Sequence, residues 1–284
     1  MNIKLYMLWD MEGASGLYER DQAWYWHPHV PPETAAAGLQ LLMADVNGAV
    51  AAALEAGADE VIVCDTHHGG GNLRIPELLS DPRVTYYGHS RLPTADGRQR
   101  YLPGLDETVS GFLLPGHHAR AGTPDAFLPH TSSLAWADFR INGQSVGEIG
   151  LEACYAGHWG VPLVFVQGDA AACRETEAQF PGAVTACVKE ALSEDRCSGP
   201  APQEGRRLTA EGVAQTVARI REGVRPAPYR PRLPMTVSIR MATPADAERA
   251  ALRPGVQRVD EHTVAGVAER HCDVIKWITG TGLD

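Results

Sequence analysis

Ile3-Lys4-Leu5-Tyr6-Met7-Leu8-Trp9-Asp10-Met11-Glu12-Gly13 is the stretch from which the fold is read. Its first seven residues are almost unbroken apolar and rich in β-formers, which predicts a strand buried on both faces. The run then delivers two carboxylates one residue apart and stops at a glycine. Side chains alternate faces in extended backbone, so Asp10 and Glu12 point one way and Met11 the other. Two acids at the end of a buried strand are costly unless positive charge or water meets them. A metal, a basic partner or an open sheet edge would each do so.

Working outward, residues 33–56 lack internal proline, are dense in Ala and Leu, and predict one long helix stopped by Gly57. Residues 60–65 (EVIVCD) predict a second buried strand, completing a βαβ unit with parallel strands. That strand runs into Asp65-Thr66-His67-His68-Gly69-Gly70-Gly71. Short strands follow at 84–87 and 110–114, the latter ending in Pro115-Gly116-His117-His118, with His130 in the next loop. Asn142-Gly143 between two β-prone runs predicts a hairpin, and Glu148 opens a helix running to residue 158. A strand at 162–166, a helix capped by Asp169 and a strand at 184–188 complete the pattern. The polar stretch 193–207 marks a boundary; beyond it come a helix at 208–223, a strand at 235–241, a helix at 244–252, strands at 256–259 and 263–267, and a helix ending near 278. The expected fold class is α/β: a mainly parallel sheet flanked by helices, with a smaller C-terminal α+β unit. The expected division is 1–195 for the catalytic part and 205–284 for the smaller one, with intertwining allowed. The aromatic, proline-broken loop 14–32 suits a flap or an interface segment.

With 284 residues the chain has enough length for a sizeable core, in one large or two moderate domains. A net charge of −10 argues against nucleic acid and anionic membranes as partners. No uninterrupted apolar run approaches the roughly 20 residues that span a bilayer. The N-terminus enters a strand without a leader pattern, so the expected location is cytoplasmic. The six scattered cysteines, without C-x-x-C, are expected to be free thiols.

In parallel α/β sheets, ligands gather beyond the carboxyl ends of the strands. Asp10, Glu12, one histidine of His67-His68, one of His117-His118, and Glu148 all fall on that side. Singly, each has a dull explanation: a solvated strand end, or an acid favoured by a helix dipole. Jointly they form a carboxylate and imidazole set suited to zinc or manganese. Three carboxylates and one hydroxide balance two divalent ions, a recurrent hydrolase arrangement. Spacing alone does not choose within either histidine pair. No Walker loop, H-E-x-x-H or G-x-S-x-G is present, and Ser15 is a poor nucleophile candidate. Trp24 and Trp26 read as packing residues, and His27 and His29 as lid or surface residues.

The blocks around Asp10-Met11-Glu12-Gly13, Asp65-Thr66-His67, Gly116-His117-His118-Ala119-Arg120-Ala121 and Val146-Gly147-Glu148-Ile149-Gly150 resemble, in order, those of the D-aminopeptidase family of dinuclear zinc peptidases, peptidase family M55. The resemblance implies Asp10, Glu12, His67, His118 and Glu148 as metal ligands, with Asp10 shared between two zinc ions. It implies His130 as the catalytic histidine, a short peptide beginning with a D-residue as substrate, and a ring-shaped homo-oligomer built as a decamer. Leu8 stands where the family usually has a small residue. A metal-dependent hydrolase of a non-peptide amide, or a peptide-binding transport-associated protein with a retained metal, are the competing expectations.

Overall fold

In the computed structural model, which describes residues 2–93 and 99–276, the opening apolar run lies inside a seven-stranded sheet. Along the chain come β1 (Lys4–Trp9), α1 (Arg20–Ala23), α2 (Pro32–Glu55), β2 (Glu60–Asp65), β3 (Val84–Tyr87), β4 (Arg91–Pro93), β5 (Gln99–Tyr101), β6 (Gly111–His117), β7 (Trp136–Ile141) and β8 (Gln144–Ser145). Then follow α3 (Glu148–His158), β9 (Leu163–Asp169), α4 (Ala170–Gln179), β10 (Val184–Ser193), β11 (Arg196–Ser198), α5 (Pro202–Arg221), β12 (Met235–Met241), α6 (Pro244–Ala251), β13 (Gln257–Arg258) and β14 (Thr263–Ala268).

The main sheet has the order β11-β10-β9-β6-β1-β2-β3. Its pairings are parallel except at the β11 edge. β1 is apolar on both sides because both sides are covered. Leu5, Met7 and Trp9 belong to a core shared with α2 and α5, through Val46, Val50, Val213 and Val217. Tyr6 and Leu8 belong to the opposite core, shared with α3 and a second sheet. Leu8 is fully buried there with Cys64 and Leu114, so a bulky residue at this position fills core volume.

The second sheet is antiparallel, in the order β13-β14-β12-β7-β8. Its β7–β8 hairpin turns at Asn142 and Gly143, both at positive φ (51° and 83°), as the sequence predicts. This sheet joins a hairpin from mid-chain to strands from the C-terminal part. The helix placed in the smaller unit by sequence, α5, packs instead on α2, β9 and β10 of the main sheet. Packing thus crosses the 195–205 boundary: an amphipathic helix shows that one face is covered, not by which sheet. The predicted C-terminal helix is, in its described part, a 3₁₀ turn at His271–Ile275 against α3; its expected end near 278 lies outside the described residues.

α2 is, by length and mean hydropathy, apolar enough to cross a membrane, although it contains no unbroken apolar run of that length. Its apolar face, Leu42, Val46 and Val50 among others, is buried in the core with β1. All six cysteines are free, and five are buried.

Candidate metal centre

The centre is built where β1 and β6 end side by side. Asp10 N donates to Pro115 O at 3.1 Å and Gly13 N to Gly116 O at 2.6 Å. A Cβ on Gly116 would lie 2.1 Å from Asp10 O, and one on Gly13 2.1 Å from His117 O. Gly116 also has φ +76°, so both the contact and the conformation require glycine. The register of β6 against β9 shifts between Leu114 and His117. Such a bulge re-aims side chains. Here His118 enters the centre, while His117 turns into the core and meets Glu152 at 2.8 Å. The other doublet separates similarly. His67 is buried in the centre, whereas His68 takes φ 50° and stacks on Trp26 at the rim.

Asp10 and Glu12 are 3% and 2% exposed, so no solvent offsets their charge. Asp10 Oδ1 lies 2.7 Å from His67 Nδ1, and Asp10 Oδ2 lies 3.5 Å from His118 Nε2. Glu12 Oε2 lies 3.1 Å from His67 Nδ1. Glu148, the first residue of α3, brings Oε1 to 3.3 Å from His118 Nε2 and 3.7 Å from His130 Nε2. Ser132 N also donates to this oxygen, at 2.7 Å. Three donor sets result, each with its atoms within 4.8 Å: Asp10, Glu12 and His67; Asp10, His118 and Glu148; Glu12, His118 and His130.

The outer nitrogen of each histidine is tied to backbone. His67 Nε2–H donates to Ala23 O at 2.8 Å, His118 Nδ1–H to Ala119 O at 3.0 Å, and His130 Nδ1–H to Leu128 O at 2.9 Å. This is how metal-binding imidazoles are commonly held, with the remaining nitrogen aimed inward. Glu12 Oε2 and His118 Nε2 are buried without a hydrogen-bond partner. Buried polar atoms are rarely left so. Their position inside the donor sets fits a bound cation.

Electrostatics point the same way. Burial, followed by the nearby Glu12 charge, pushes Asp10 up to about 7. Burial alone would raise Glu12 and Glu148, but the facing histidines outweigh it, holding Glu12 well below the usual range and Glu148 at about 2. Burial would lower His67 and His118, yet the carboxylates hold both well above the ordinary imidazole value. Protons thus supply the positive charge that ions would bring. His130 differs: burial and the His118 charge lower it, leaving it neutral.

Two supports were not legible in the sequence. Trp24 Nε1–H donates to Glu12 Oε1 at 2.6 Å, so this indole positions a carboxylate as well as packing edge-on against His130. An indole N–H withdrawn from water needs an acceptor, but Glu19 and Asp21 lie nearer to Trp24 in sequence than Glu12 does, so the sequence does not pick the partner. Lys189, 2% exposed, donates to Glu12 O at 2.7 Å and Leu17 O at 2.6 Å, tying the turn after β1 to β10. Burial lowers its ammonium to about 8. Ser15 is buried, its N donating to Asp45. His27 lines the cleft above the centre, and His29 is exposed beside Asp21.

The cleft, of about 350 Å³, is also walled by Trp26, Tyr101, Arg91 and Leu134. Residues 3–280 match the family model described as D-aminopeptidase, peptidase family M55. The chain belongs to this D-aminopeptidase family. It is 33% identical over 269 residues to a D-aminopeptidase of Bacillus subtilis (strain 168), covering 90% of this chain and 87% of that one. Its fold matches a solved structure described as the Zn-dependent D-aminopeptidase DppA from Bacillus subtilis, a self-compartmentalizing protease. That match has TM-score 0.86 and 30% identity, covering 97% of this chain and 95% of the other. The M55 fold is thus a mostly parallel α/β sheet with an antiparallel partner sheet.

Proposed function

We propose that this M55 chain is a zinc-dependent aminopeptidase that removes an N-terminal D-residue from short peptides. The observation that carries it is the pair of buried donor sets joined through Asp10, whose two carboxylate oxygens face different histidines. Asp10, Glu12 and His67 would hold one ion; Asp10, His118 and Glu148 the other. Bound there, zinc would supply Lewis-acid chemistry, lowering the pKa of a water and polarising the carbonyl to be attacked.

The protein's own residues do the rest. His67 and His118 present fixed lone pairs because their outer N–H groups are held by backbone carbonyls. His130, neutral and with Nδ1–H fixed on Leu128 O, presents its Nε2 lone pair to the cleft. It takes the proton of the attacking water at Nε2 and returns it to the departing amine, general acid–base work worth about 10²–10⁴-fold. Trp24 and the N-terminal end of α3 hold the two carboxylates flanking this path.

The similar Bacillus subtilis protein is described as self-compartmentalizing. The chain is proposed to form a ring-type decamer in the cytoplasm, with the exposed Leu134 and half-exposed Trp26 at the cleft mouth. Ten chains of 30.6 kDa would make a particle of about 306 kDa, readable by light scattering. The activity test uses purified protein, its zinc counted, on D-Ala-D-Ala, L-Ala-L-Ala and simple amides with and without chelator. Chelator-sensitive cleavage of the D-peptide at two zinc per chain is expected. Chelator-insensitive cleavage, or fewer than one zinc per chain, would sink the two-metal reading. A preference for simple amides would make the protein an amidohydrolase instead.

A further inference from the structure

The floor of the cleft is anionic, but one wall is not. Arg91 is the single Lys or Arg lining it among the described residues. Its Nε is buried without a hydrogen-bond partner, and no described carboxylate forms an ion pair with it. A guanidinium on a cleft wall without a carboxylate partner among the described residues is half of a recognition pair, since its fork matches a carboxylate.

Arg91 is also well mounted. It pairs with Tyr101 across the β4–β5 ladder, and Leu102 N closes the base of this hairpin on Ser90 O at 2.8 Å. The Tyr101 ring meets Tyr155 of α3 edge-on at 5.1 Å, and the Tyr155 hydroxyl donates to Tyr101 O at 2.9 Å. The Tyr101 hydroxyl donates to Glu152 of α3 at 3.1 Å. The helix that carries Glu148 therefore fixes the strand that carries Arg91, setting the span between the reacting end of the cleft and its cation.

A short peptide is a zwitterion. Its amine belongs at the end where an aminopeptidase cuts, and its other charge is a carboxylate a few residues away. We propose that Arg91 binds the free α-carboxylate of the substrate, so that the enzyme selects peptides short enough to end inside the cleft. This rests on the aminopeptidase reading above and adds the feature that sets substrate length.

The test compares zinc-loaded wild type, Arg91→Gln and Arg91→Lys on D-Ala-D-Ala and on D-Ala-D-Ala amide, with zinc content measured for each. Wild type is expected to favour the free acid in kcat/KM by about 10- to 100-fold, the worth of a charge-assisted hydrogen bond. In Arg91→Gln the acid-to-amide ratio should fall to within about threefold of unity, mainly through KM of the acid, and Arg91→Lys should restore part of it. An equal wild-type preference, or a ratio unchanged in Arg91→Gln, overturns the proposal. A third peptide, D-Ala-D-Asp amide, separates the two sources of a carboxylate; if it outperforms the free acid, the terminal assignment is wrong. If the zinc-loaded protein cleaves none of these peptides, the aminopeptidase reading fails by itself. The uncleaved acid and amide are then titrated calorimetrically, where an acid preference lost in Arg91→Gln upholds the role of Arg91 and equal affinity removes it.

Discussion

A proton is what zinc has to displace here. In the metal-free protein the carboxylates hold His67 and His118 well above the ordinary imidazole value, so both are cationic at neutral pH. The proposed ligation needs them neutral, so each would release a proton as metal enters. The sign follows: zinc affinity rises with pH and falls on acidification, with log K changing by at least two per pH unit where both histidines are protonated. Calorimetry in buffers of different ionisation enthalpy should register at least two protons released per chain loaded, Asp10, raised to about 7, adding part of a third at neutral pH; heats independent of buffer would contradict this. His130 stands outside that exchange because burial and the His118 charge keep it neutral. His130→Ala should therefore keep wild-type zinc content and lose about 10²–10⁴-fold in kcat. Asp10→Ala, which removes the carboxylate common to both sets, should lose both ions. Plasma emission spectrometry beside steady-state kinetics reads both variants. At this scale the acids were legible because period-two alternation puts Asp10 and Glu12 on one face. The choice of His67 over His68 and of His118 over His117 was not, because a positive φ at His68 and a bulge before His117 decide it. Family likeness supplied what spacing could not.

At the scale of elements, the centre depends on how closely two strand ends approach. The ends of β1 and β6 touch through Gly13 and Gly116, leaving no room for a methyl group between Gly116 and Asp10 O. Gly116→Ala must push these ends apart and also adopt a left-handed conformation that costs about 1–2 kcal/mol. Overpacking adds about 1–3 kcal/mol. A loss of roughly 2–5 kcal/mol in urea denaturation of the metal-free protein is expected, from these two contributions. Refolded variant should also bind less zinc, because Asp10 and His118 ride on the displaced ends. Wild-type zinc content at a lowered Tm would show that the strand ends can separate without moving the ligands. The strands themselves were readable from apolar runs and turn residues, and α2, β2, β3 and α3 lie within a residue of their predicted bounds. Trp24 was misread as packing alone because its bond to Glu12 joins a loop to a strand end, a tertiary relation that local pattern does not carry.

The whole molecule is less divisible than its sequence suggests. The composition shift at 193–207 looks like a linker, yet it holds the β11 edge strand and the first turn of α5. α5 closes one face of the main sheet, where Gly212 lies so near Phe165 that a Cβ would come within 2.6 Å of its ring. On the other face, Phe139 and Ile141 of β7 pair with Ile239 and Val237 of β12 and share one core with them. A fragment of residues 1–195 would keep every proposed metal ligand but lose both coverings. It would expose the α5-facing side of β9 and leave β7 paired only with the short β8. Apolar burial is worth about 25 cal/mol per Å² and folded domains hold only about 5–15 kcal/mol in reserve, so uncovering about 200–600 Å² would exhaust it. The fragment should therefore show no cooperative thermal transition by near-ultraviolet circular dichroism and bind the dye ANS. Full-length protein should melt cooperatively, with a Tm raised by zinc. A cooperative, zinc-shifted melt of 1–195 alone would mean that the first sheet folds without its partner and that the centre belongs to an independent domain.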